Sequence, residues 1–179
     1  MKGINIKIRR VFVTAIVLCV FYLLQCTLFP RLTLASVKPN LMLILTASYG
    51  FMRGPKDGML VGFFSGLLMD IQFGGILGFY ALLYLLAGYV NGLFEQLYYA
   101  EDIKLPLALT GVTEFIYGVV IYLLMFMLRS EFDFLHYLRH IIIPELIYTI
   151  VVTLGAYPLL LFINHRLEAE EKRSAGKFV

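Results

Sequence analysis

Catalytic chemistry is what this chain has least of. Its three histidines, His136, His140 and His165, fall in loops or at the ends of apolar stretches, so no histidine-based metal site forms within those stretches. No HExxH, GxSxG or Walker loop occurs. Ser65 precedes Gly66, but no histidine or lysine stands in the same apolar interior to activate it. The two cysteines, Cys19 and Cys26, lie seven apart on one helical face, too far for a disulfide and without CxxC or metal-ligand spacing. They read as packing residues. Charge is scarce as well: only 15% of residues are charged, and a net charge of +3 is too small to attract nucleic acid. The expectation is a protein that is not an enzyme, needs no cofactor or metal and binds no nucleic acid.

What the chain does have is apolar surface. With 60% hydrophobic residues it reads as an integral membrane protein, and 179 residues give room for about six membrane helices of ~20 residues and no soluble domain. The hydropathy pattern predicts an all-α, polytopic domain over residues 11–163 with six segments, about 11–29, 40–52, 57–72, 76–94, 105–128 and 141–163. Residues 1–10 and 164–179 form charged flanks. The first segment follows Lys2, Lys7, Arg9 and Arg10 and is longer than the ~7–15 residue core of a signal peptide, and Thr33-Leu34-Ala35 is a weak cleavage site, so it reads as an uncleaved helix. Pro30 ends it, and Pro39 fits the first turn of the second helix.

The second and third segments, roughly 14 residues each, are short against a ~30 Å hydrocarbon core. Two readings stand, a re-entrant hairpin or two short spans. A re-entrant hairpin would hold Arg53, Lys56 and Asp57 at membrane depth at a cost of several kcal/mol, so two spans shielded by the longer helices are preferred. With both ends inside, eleven basic residues face the cytoplasm (Lys2, Lys7, Arg9, Arg10, Arg53, Lys56, Lys104, Arg166, Lys172, Arg173, Lys177). Four (Arg31, Lys38, Arg129, Arg139) face outward. That asymmetry predicts cytoplasmic termini in a bacterial plasma membrane, with Tyr98 and Tyr99 at the inner interface.

One pattern stands out from the apolar background. Gly54, Gly58, Gly62, Gly66, Gly74 and Gly78 recur at every fourth position, with Asp70 in the vacant place. Small residues at helical spacing let two backbones approach in lipid, where a carboxylate costs about 2.5–3.5 kcal/mol on insertion. Asp70 therefore reads either as an acid kept for recognition or as a cap beside the Gly74-Gly75 turn. Gly78, Ala81, Leu85, Gly88 and Gly92 give the fourth helix a small-residue face with Asn91 beside it. These faces serve partner binding or pack on one another. Two further acids lie in apolar segments. Glu114 sits near the midplane of the fifth, either protonated or hydrogen-bonded to hydroxyls such as Tyr117 or Thr113 or to a water-lined cavity. Glu145, beside Pro144, reads as an ordinary helix-start acid.

The stretch Pro39-Asn40-Leu41-Met42-Leu43-Ile44, the run Gly62-Phe63-Phe64-Ser65-Gly66-Leu67-Leu68-Met69-Asp70, and then Leu77-Gly78 and Gly88-Tyr89 together resemble the MreD family of bacterial rod shape-determining membrane proteins. The resemblance implies a non-enzymatic component of the cell-elongation complex. It would bind an MreC-like single-pass membrane protein and link a RodA-type synthase, with its class B penicillin-binding protein, to MreB-like actin filaments. It also implies a six-helix bundle similar to the substrate-binding S components of vitamin transporters. An S component is accordingly the alternative function, although the first helix has no Ala-x-x-x-Ala patch and the outer loops offer few polar groups to a ligand.

Overall fold

The computed structural model describes residues 2–32, 37–73, 76–97, 103–125 and 134–175. The Gly74-Gly75 turn, Tyr98, Tyr99, Arg129 and the last basic residue of the tail, Lys177, lie outside them. Among the described residues there is no strand. The helices are α1 (Lys2–Thr27), α2 (Leu41–Arg53), α3 (Pro55–Phe73), α4 (Phe79–Gly92), α5 (Lys104–Met125), the single turn α6 (Phe134–Tyr137) and α7 (Ile143–Ala175). A π turn, Leu138–Ile142, carries α6 into α7 without leaving right-handed helical backbone. Helix α1 begins well before Val11, the start of the first expected segment, and α7 runs beyond Ile163. A helix satisfies its own backbone, so it need not end where its apolar stretch does.

Helix α2 is the centre of the molecule. Every residue from Leu41 to Met52 is buried. Its side chains are mostly apolar, Thr46 folds its hydroxyl back onto the Met42 carbonyl at 2.8 Å, and a helix without a polar face is at home inside a bundle. Around it pack α1, α3, α4, α5 and α7. Pro39 is not in the first turn: Asn40 is the N-cap, its Oδ1 accepting from Leu43 N at 3.2 Å, so Pro39 precedes the cap. The connection left by the expected segments 40–52 and 57–72 shrinks to one residue. Gly54 (φ +88°) turns the chain in a conformation open to glycine, and Pro55 opens α3 where its missing N–H costs nothing.

Only α2 is shielded in the way the two short segments were expected to be. Helix α3 exposes Leu60, Phe63 and Phe64, because its glycine stripe takes one side of the helix and leaves the bulky side chains on the other. Among the described residues the outer surface of the bundle carries many large apolar side chains, with Phe12, Val112, Ile116, Val151 and Phe162 all exposed. Ile8–Thr27, Lys104–Leu124 and Phe134–Ala169 are long and apolar enough to cross a membrane. A skin of this kind is stable in lipid and would aggregate in water. Cys19 belongs to that skin rather than to the packed interior, and Cys26 is half-buried.

Candidate functional site

Three constructions hold the bundle together, and Asp70, Glu114, Glu145 and the glycines Gly58, Gly62, Gly66, Gly88 and Gly92 fall into the first two. The first is a seam between α3 and α4, which run antiparallel. A Cβ at Gly66 would lie 2.5 Å from Ala81 Cα, one at Gly62 would lie 2.7 Å from the Tyr84 carbonyl carbon, and one at Gly92 would lie 2.5 Å from Pro55 N. Gly58 and Gly88 face each other, and Gly50 of α2 closes on the same point, where a Cβ on it would lie 2.6 Å from the Gly88 carbonyl oxygen. Three backbones meet there without an intervening side chain. Two residues depart from the expected α4 face. Gly78 has nothing within 4 Å of its Cβ position; it is the left-handed N-cap of α4 (φ +101°), so a heptad drawn from it starts outside the helix. Tyr84, buried against the glycine stripe, takes the place assigned to Leu85, which is only half-buried.

Asp70 closes the seam. Its Oδ1 accepts from Tyr80 N at 2.8 Å, and its Oδ2 accepts from Gly78 N at 2.9 Å and Ala81 N at 3.1 Å. These donors are the unpaired amides at the start of α4, and a carboxylate there also meets the positive end of that helix. Asp70 stands near the unfavourable end of its own helix and at the favourable end of the next. The carboxylate is 4% exposed. It is a cap supplied across the hairpin, to α4 rather than to the local turn.

The second construction is centred on Asn40, which sequence reading treated only as part of a family motif. Its Oδ1 accepts from the Tyr84 hydroxyl at 2.7 Å as well as from Leu43 N, and its backbone N–H donates to Thr149 Oγ1 at 3.2 Å. Its side chain also bonds Glu114. One asparagine thus ties α2 to α4, α5 and α7. Tyr117 bonds the Tyr84 side chain with the rings edge to face at 5.6 Å. The side-chain hydrogen bond to Glu114 comes from Asn40, while Thr113 Oγ1 accepts from Asn91 Nδ2 of the neighbouring helix at 2.8 Å. The Glu114 carboxyl is buried with Oε2 unbonded, and Glu145 lies within electrostatic reach of it and of Tyr80, Tyr84, Tyr117 and Tyr137. Glu145 stands in the first turn of α7, where a helix-start acid belongs, and it is half-buried.

The third lies at the opposite end. Arg10 of α1 pairs with Asp57 of α3, while Arg53 Nε donates to Asn164 Oδ1 at 2.5 Å and Asn164 Nδ2 donates to Glu168 Oε1 at 2.8 Å. At the first end, Gln25 extends the stitching: its Oε1 accepts from Met42 N at 3.0 Å and its Nε2 reaches Met69 Sδ at 3.5 Å. Among the described residues no cluster of three His, Cys, Asp or Glu side chains is placed to hold a metal ion. Asp70, Asn40, Gln25, Asn91 and Arg53 each share a hydrogen bond with a neighbouring helix.

An apolar skin over a helical bundle whose inner polar groups serve to lock helices together defines an all-helical integral membrane protein. The chain belongs to the MreD family: the family model for the rod shape-determining protein MreD matches residues 6–165, nearly its whole length. It is thus a cell-shape membrane protein of that family. No curated protein and no solved structure matches it.

Proposed function

We propose that this chain is a non-enzymatic scaffold of the bacterial cell-elongation complex. In this reading it crosses the plasma membrane six times with both termini in the cytoplasm. It binds an MreC-like single-pass protein and through it joins a RodA-type synthase and its class B penicillin-binding protein to MreB-like filaments. The observation that carries the reading is the family match across residues 6–165. The rigid interior is consistent with it, since a scaffold has to present fixed outer faces. The glycine seam is engaged within the chain, so partner contact falls to the exposed apolar faces of α1, α5 and α7.

Affinity-tagged protein extracted in mild detergent from a native membrane should bring down the MreC-like protein. The same gene should restore rod shape to rounded cells lacking it. Recovery of an ATPase pair with a bound vitamin instead would make the chain a transporter S component. Orientation is tested separately. In a Cys19- and Cys26-free background, cysteines at Ser36 and Ser130 should react with an impermeant thiol reagent in intact cells, and cysteines at Lys56 and Ser174 should not. Labelling at position 56 from outside would overturn both the orientation and the two-span hairpin.

A further inference from the structure

We propose that Glu114 and Glu145 form a binding site for a small organic cation carrying an ammonium group. Glu114 is 3% exposed; Asn40 bonds its carboxyl, but Oε2 has no hydrogen-bond partner. A buried carboxyl oxygen without a donor is costly, and buried polar atoms in folded proteins nearly always have one. The chain supplies none here, so the site is completed by something that donates.

The surroundings select a cation as that donor. The charged group that acts on Glu114 is a second acid, Glu145, and among the described residues no Lys, Arg or His acts on either. An ammonium group gives Oε2 its hydrogen bond and brings the counter-charge that two acids without a base lack. The other side chains within reach of Glu145 are Tyr80, Tyr84, Tyr117 and Tyr137, and aromatic rings attract organic cations. A metal ion fits less well, because among the described residues no third His, Cys, Asp or Glu joins the pair.

Space adjoins the acids. Tyr117 lies on the side of α5 away from the exposed Val112, Phe115 and Ile116, and like Tyr80 it packs against the core. Both are nevertheless only half-buried, as are Tyr137 and Glu145. Asn40, Tyr84 and Glu114, each at most 4% exposed, close the floor of the site. It opens where α7 begins.

The test uses the full chain in a neutral maltoside detergent, with n-butylammonium as the probe and n-butanol as its uncharged counterpart. By saturation-transfer NMR, wild type should bind butylammonium at least about tenfold more tightly than butanol. Butylammonium chloride should also raise the melting temperature above that in equal potassium chloride. Glu114→Gln and Glu145→Gln should each weaken butylammonium binding about tenfold. Glu145 is half-buried, so its variant decides the matter even where Glu114→Gln does not fold. Native mass spectrometry of wild type extracted in the same detergent distinguishes a free amine from an aminolipid headgroup, by the mass of an adduct that Glu145→Gln lacks. Equal binding of the two probes, or unchanged binding in Glu145→Gln, would overturn the proposal. So would no binding at all, which would leave Oε2 to an ordered water.

Discussion

Gly66→Leu should leave almost none of this protein folded in the membrane, and Gly62→Leu should do the same. The atoms in the way are main chain: Ala81 Cα and N lie 2.5 and 2.6 Å from a Cβ at Gly66, and Tyr84 carbonyl carbon lies 2.7 Å from one at Gly62. A crowded side chain can turn aside; a helix backbone can move only as a whole. The ~1–3 kcal/mol typical of overpacking is then a lower bound, set against a folding reserve of about 5–15 kcal/mol. Prying α3 from α4 would also draw Asp70 away from the three amides it caps. Leu67→Ile, one residue along, should cost less than about 1.5 kcal/mol. Membrane abundance and size-exclusion profiles of tagged protein decide the matter. Equal abundance for all three variants would mean that α3 and α4 are not in backbone contact.

Asp70→Asn should lower thermal stability and membrane abundance together, by an amount corresponding to about 2–4 kcal/mol. At a simple N-cap, asparagine and aspartate are nearly equivalent. This site differs because both oxygens accept, one from Tyr80 N and the other from Gly78 N and Ala81 N. An amide offers one oxygen, and whichever way it turns its NH₂ meets a buried N–H. Loss of charge at the start of α4 adds to that conflict. Complementation of rounded cells should fall in step with abundance. Normal abundance and melting with lost rod growth would instead assign the carboxylate a task outside the fold.

Hydropathy alone carries the all-helical class and the succession of apolar segments, because each segment must bury or bathe its own side chains. A four-residue glycine spacing carries a stripe on one helix. It says nothing of what lies across from it, and the apparent heptad on α4 misleads because Gly78 stands outside the helix and Tyr84, not Leu85, meets the stripe. Asp70 is recognisable as an acid in apolar surroundings, but its partners are backbone amides, which every sequence possesses and no sequence marks. Asn40 was visible only within a resemblance. Its role depends on Tyr84, Glu114 and Thr149, drawn from three later helices, and no local pattern connects them.

The central position of α2 also dictates an order of events during synthesis. Asn40 leaves the ribosome 109 residues before Thr149, the acceptor of its backbone amide. At ~5–20 residues per second that interval is roughly 5–22 s. For that time a short helix with a polar cap and buried hydroxyls waits without its final walls, in a bilayer that offers those groups no hydrogen bonds. The innermost helix is made second and sealed last.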